Sequence, residues 1–140
     1  MARLGIGTMD LLAHAHGCLL EASLAERPAD RYAAAHLAAL RTAAAVLAAR
    51  TSTDQVRRGP RNAWVLLARV APELGEWADF FSATARRRTV AQAGRPGVIT
   101  PREADDLLRD AEAFLGVVTR MLGLPHHPPL PGVAAPLRAS

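Results

Sequence analysis

The chain has 140 residues, half of them hydrophobic but only 4% aromatic, with a formal charge of +4 and a pI of 10.9. That length fits one domain with a core of its own, and a core so poor in rings has to be built mainly from Ala, Leu and Val. A single cysteine, Cys18, excludes an internal disulfide framework and suits a reducing compartment.

All seventeen basic residues are Arg, so the high pI reflects the choice of Arg over Lys more than a large excess of charge. Composition alone is therefore a weak argument for nucleic acid. Asp10, His14 and His16 interrupt any apolar run near the start, so this stretch is not expected to be a secretory leader. No stretch approaches the roughly 20 uninterrupted apolar residues of a membrane span, and the expected compartment is the cytoplasm.

In chain order, a first helix is expected from about Thr8 to Ala25, with Leu11, Ala15, Cys18, Ala22 and Ala25 on one stripe and Leu12 and Leu19 widening it. Arg27-Pro28 breaks the chain. Asp30 is the candidate N-cap of a second helix running to about Arg50, with Ala33, Leu37, Leu40, Ala44 and Leu47 as its core face. Thr51–Pro60 reads as a polar loop.

The segment Arg57–Phe81 holds both Trp residues and two of the three Phe residues. Trp64, Leu67, Ala71, Leu74, Trp77 or Ala78, and Phe81 follow steps of three and four, so this ridge is expected to be the spine of the fold. Pro72 lies inside it and should kink it or split it into two nearly coaxial pieces.

Arg86–Thr100 reads as a mobile basic linker. Thr100-Pro101-Arg102-Glu103 is a helix start with an N-cap Thr, Pro at the first helical position and Glu three after the cap. Ala104, Leu107, Leu108, Ala111, Phe114, Val118 and Met121 form the buried face of that helix, and Gly123-Leu124 closes it. Residues 1–124 are expected to form one all-α antiparallel bundle of four to five helices. Residues 125–140 are expected to form a disordered Pro-rich tail.

Helices of this length and order, with Arg31-Tyr32-Ala-Ala-Ala-His36-Leu-Ala-Ala-Leu-Arg41 opening the second and Arg57-Arg58-Gly-Pro-Arg61-Asn62-Ala-Trp64 the third, resemble a small actinobacterial branch of the HEPN domains. The resemblance covers about Thr8–Leu124. It implies an antiparallel helical bundle, often a homodimer, and either a metal-independent RNase or a non-catalytic RNA-binding or interaction module. Active members of that family carry an Arg, often followed by Asn or another polar residue, with four to six residues between the Arg and a downstream His.

Arg61-Asn62 begins like that motif, but the downstream positions are Leu66, Leu67 and Ala68, so no imidazole is available there to activate a ribose hydroxyl. Arg31 and His36 do have the spacing and are the candidate catalytic pair: an Arg to hold phosphate and a His to move a proton. They sit on the second helix rather than at the family's usual place.

Arg57, Arg58, Arg61 and Arg69 form one basic group, and Arg86, Arg87, Arg88 and Arg95 another. Guanidinium groups suit phosphate. Against that, Arg102–Glu112 holds five acids and two Arg, and pairing with this helix would use the charge inside the protein. His14, Cys18 and Glu21 share a helix face without a recognised zinc pattern, and no phosphate loop or nucleophile elbow is present. Neither a metal nor a cofactor is expected.

The leading reading is a non-catalytic HEPN-like homodimer that binds RNA, a nucleotide or a partner protein through Arg57, Arg58, Arg61 and Asn62. The alternatives are an endoribonuclease using Arg31 and His36, and a structural interaction module whose arginines pair with acidic partners.

Overall fold

Alanine governs the centre of the molecule. In the computed structural model, which describes residues 5–59, 61–93 and 97–124, the helices are α1 (Ile6–Leu24), α2 (Pro28–Arg50), α3 (Thr53–Arg58), α4 (Ala63–Val70), α5 (Gly75–Ala93) and α6 (Pro101–Met121). A 3-10 turn, Pro72–Leu74, joins α4 to α5. Helix α2 is the hub and packs on α1, α4, α5 and α6. Ala35, Ala39 and Ala43, spaced by four along it, are fully buried; small side chains at such crossings let helix axes come to the short end of the usual 8–10 Å separation. The described residues thus form an all-α bundle, and the C-terminal stretch 125–140, read above as a disordered tail, lies outside them.

Because α2 is covered from several sides, it has no single buried stripe. Ala33, Leu37, Leu40 and Ala44, expected as its core face, are only half-buried, and Leu47 alone of that set is buried. The interior positions are instead Tyr32, Ala35, His36, Ala39, Thr42, Ala43 and Val46. Helix α2 also departs from the expectation that no segment could span a membrane. At 23 residues, with a mean hydropathy of 1.3 over its most apolar window, it is long and apolar enough, yet 56% of that window is buried inside the molecule.

The ridge of α4 and α5 follows the expected phase. Trp64, Leu67, Ala71, Leu74, Ala78 and Phe81 are all buried, while Trp77 is half-buried and packs from the side. Pro72 splits the segment: Ala71 leaves helical geometry at φ −132°, ψ 75°, and the chain re-enters through the 3-10 turn.

Rings from four helices meet behind it. Trp64 stacks on Phe81 at 5.2 Å, Phe81 lies 5.2 Å from Phe114, Trp77 lies 5.3 Å from Phe114, and His36 presents its ring to Trp64 and Phe81 at 6.1 and 6.2 Å. Each such pair adds about 0.5–1.5 kcal/mol beyond the area it buries.

Two connections differ from the sequence reading. The supposed polar loop contains α3, capped by a reciprocal box in which the Ser52 hydroxyl accepts from the Gln55 amide and the Gln55 side chain accepts from the Ser52 amide. The supposed basic linker is helical to Ala93, so Arg86, Arg87 and Arg88 lie on α5 and not in a loop. Helix α2 starts earlier than Asp30, with Pro28 in its first turn and Asp30 placed against the helix dipole. Helix α6 begins at the expected Thr100 box and closes through Gly123 at φ 75°, with the Leu124 amide donating back to the Thr119 carbonyl at 2.8 Å.

Candidate functional site

The Arg31 and His36 side chains serve different neighbours. Arg31 straps three elements together: Nε donates to the Ala22 carbonyl at 3.0 Å, Nη2 to the Ala25 carbonyl at 2.7 Å, and Nη1 to Asp105 on α6 at 2.5 Å. The guanidinium thereby satisfies the last carbonyls of α1, which no glycine or Asn cap covers.

His36 is 1% exposed, inside the ring cluster. Its Nε2–H donates to the Phe81 carbonyl at 3.1 Å, which sets the tautomer, and Nδ1 is buried with no hydrogen-bond partner among the described residues. Burial pushes the imidazole well below its ordinary value and the Arg88 charge adds to that, while the bond to the Phe81 carbonyl acts the other way. A neutral ring sealed behind Trp64 and Phe81 has the state of a core residue; proton transfer to a ribose would need contact that this position withholds.

The junction of α3 and α4 is open. Arg57, Arg58, Arg61 and Asn62 are all exposed. Arg58 pairs with Asp54 one turn earlier at 3.2 Å, a surface pair worth at most about 1 kcal/mol. Arg57 and Arg61 have no hydrogen bond or ion pair among the described residues. Asn62 is the N-cap of α4, its Oδ1 accepting from the Trp64 amide at 2.9 Å, so it orients the helix start that carries the exposed arginine before it.

From that corner the charge continues down α4. Val65 and Arg69, spaced by four on α4, are both exposed, which puts them in one row; Arg61, also exposed, lies just ahead of the helix's N-cap. The row borders an open groove of about 350 Å³ between α4 and α5, lined by Trp64, Val65, Ala68, Arg69, Ala78, Asp79 and Ser82. Asp79 and Ser82 also line an adjoining hollow of about 460 Å³ with Ala83 and Arg86. The result is a shallow, water-accessible track with Arg69 on one wall, Arg86 farther along the other, and a hydroxyl and a carboxylate between them. Asp79, Ser82 and Arg86, at i, i+3 and i+7, were not singled out together by the sequence reading; their spacing on one helix face was the available signal, masked by reading residues 86–100 as linker.

In the second arginine group, Arg87 is the member held by an ion pair among the described residues. Arg87 forks onto Glu103, with Nε to Oε2 at 3.1 Å and Nη2 to Oε1 at 2.9 Å, and also donates to the Val98 carbonyl at 2.7 Å. Burial alone would raise the Glu103 carboxyl, but the Thr100 amide and the Arg87 guanidinium override it and hold the group below its usual range. Arg88 has its Nε buried without a partner, and Arg95 lies outside the described residues.

The His14, Cys18 and Glu21 set is likewise engaged in packing: His14 Nδ1 accepts from Arg41 Nε at 2.9 Å, and Cys18 is buried with its thiol pushed up by desolvation. Among the described residues no three potential metal ligands come together.

A helical bundle in this order, with a central Ala-rich helix and an exposed cationic corner ahead of an aromatic-bearing helix, has the build of a HEPN-type domain. The chain belongs to the SAV_6107-like HEPN family, whose model matches residues 22–119. The matched span begins at the end of α1 and stops inside α6, so it is shorter at both ends than the sequence resemblance suggested. HEPN domains are often RNases or nucleotide-related proteins. Comparison with curated proteins and with solved structures finds no match.

Proposed function

We propose that residues 1–124 act as an RNA-binding HEPN unit, working as a homodimer, that holds single-stranded RNA by its phosphates without cleaving it. The observation that carries the reading is a set of four exposed guanidiniums, those of Arg57, Arg61, Arg69 and Arg86, none with an ion pair or hydrogen bond among the described residues. A protein that needed these charges only for its own stability would have set carboxylates beside them, as it does for Arg87. Planar guanidinium forks suit bidentate contact with phosphate oxygens, and the groove beside them offers Ser82 and Asp79 to hydroxyls of a bound strand. The reading assigns no proton transfer to Arg31 and His36, since one is a helix strap and the other is sealed in the core.

The test is binding of a short single-stranded RNA, followed by fluorescence anisotropy over a salt series. Three to four neutralised phosphates give a slope of log K against log salt of about −2 to −3. Arg57→Ala/Arg61→Ala should weaken binding roughly ten-fold and flatten the slope by about one to two. Salt-independent binding, or an unchanged slope in that variant, would remove RNA from the reading and leave an acidic protein partner. RNA cleavage that survives EDTA and vanishes in His36→Ala would instead establish the endoribonuclease.

A further inference from the structure

Helix α1 is apolar on two opposite sides. Its inner face, Thr8, Leu12, Ala15, Cys18 and Ala22, is buried in the bundle. Its outer face carries Ile6, Met9, Ala13, Gly17, Leu20 and Leu24, in steps of three and four that make one continuous stripe. All six are exposed, with Ile6 at 80%, Leu24 at 73%, Leu20 at 52% and Met9 at 46%. Monomeric proteins seldom leave an ordered row of large aliphatic side chains in water.

The middle of the stripe is its most informative part. Gly17 is a poor helix residue, and nothing lies within 4 Å of the place its Cβ would occupy, so packing within the subunit does not require it. A bare backbone at the centre of an exposed apolar stripe is what a second helix needs in order to approach closely.

We infer that α1 pairs antiparallel with α1 of a second copy, across a dyad beside Ala15. The sequence is self-complementary about that point: Ile6 meets the partner's Leu24, Met9 the partner's Leu20, and Ala13 the partner's Gly17. Each contact then occurs twice, as an isologous interface demands. The small pair sits at the centre and the large side chains lock the two ends. A 19-residue helix is about 28 Å long, and two such helices in contact bury on the order of 1,000 Å², the lower edge of specific interfaces. The dimer is accordingly one that dissociates on dilution. Nearly all of α1 precedes the residues matched by the family model. The pairing rests on the homodimer part of the reading above and not on the arginine set.

The test is sedimentation of the full chain across a concentration series. Wild type should shift from monomer to dimer. Gly17→Arg and Leu20→Glu/Leu24→Glu should stay monomeric, with helical circular dichroism unchanged because both changes point to solvent. Arg57→Ala/Arg61→Ala should dimerise like wild type. For orientation, the Ile6→Cys/Leu24→Cys double variant should cross-link into dimers under mild oxidation, while neither single variant should; Cys18 is buried and common to all three.

A dimer that persists in both α1 variants, or cross-linking of Leu24→Cys alone, overturns the pairing. So does a wild type that is monomeric throughout, including one that dimerises only after residues 125–140 are removed, which would seat the chain's own C-terminal segment on the stripe. A wild type that stays monomeric at every concentration and still binds RNA would sink this pairing and leave the arginine reading standing.

Discussion

Arg87 on α5 and the arginines of the α3–α4 corner lie within thirty residues of each other in sequence, yet they have opposite surroundings. Arg87 faces the first turn of α6, where Glu103 caps its own helix and still has both oxygens available for the guanidinium. Arg57 and Arg61 face no acidic helix, and the one carboxylate nearby, Asp54, is taken by Arg58. What separates the two groups is the identity of the adjacent helix, because side-chain charge is neutralised only within a few ångströms in water. Acids concentrated on α6 therefore pair with α5 and α2, through Arg87 and Arg31, and leave the far corner of the bundle cationic.

The largest perturbation of this contrast removes the support that both regions share. Trp64 lies two residues after Asn62, and its ring stacks on Phe81, which precedes Arg87 on the same helix. Trp64→Ala should cost about 3–5 kcal/mol in urea unfolding. A loss below about 1 kcal/mol would mean that the corner stands apart from the core.

Next in size is Glu103→Ala, which deletes half of a capping box and the anchor of Arg87 together. Since Arg87 and Glu103 are both more than a third exposed, the ion pair counts as a surface pair and most of the effect is the cap; the expected loss is roughly 1–2 kcal/mol. Because the folded carboxyl titrates below its usual value, this stabilisation is present above pH 4.5 and is lost as pH falls through the depressed folded value. Thermal melts of wild type and Glu103→Ala should therefore converge in acid.

These contrasts were only partly legible in the sequence. The Thr100 box and the Trp64–Phe81 ridge could be read because each is set by local chemistry and one period. The core face of α2 could not, because a helix packed on several sides has no dominant stripe, and its alanines fit every side equally well. Helix α3 was hidden by its length of six residues, although Ser52-x-x-Gln55 announced its start. For the site, exposure of Arg57 and Arg61 followed from their place ahead of the ridge. The partnership of Arg87 with Glu103 spans sixteen residues, and nothing local in either segment encodes it.

His36 supplies a smaller, pH-gated effect on the core between the two regions. The groups that act on its ring are the Phe81 carbonyl and Arg88 of α5, with Trp64 of α4 closing the other side. The unfolded chain takes up a proton near pH 6.5 while the folded ring, depressed by burial, resists it. Stability is therefore fully present above pH 6.5 and falls as pH drops toward the folded value. Urea midpoints should decline over that window in wild type and stay flatter in His36→Gln. Equal slopes would place the titration elsewhere.

The smallest expected change is the most discriminating. Arg57→Ala/Arg61→Ala should alter unfolding free energy by no more than about 0.5 kcal/mol, since neither side chain has a partner to lose. Arg31→Ala provides the opposing case on the same scale, because it removes at once the bonds to the Ala22 and Ala25 carbonyls and the ion pair with Asp105. If the corner arginines proved as costly to remove as Arg31, they would be acting inside the protein and the asymmetry between the two groups would collapse. If they cost nothing, their charge is held against its own repulsion without any structural return, and stability measured in rising salt should then increase in wild type more than in the double variant, because screening relieves a repulsion that only wild type contains.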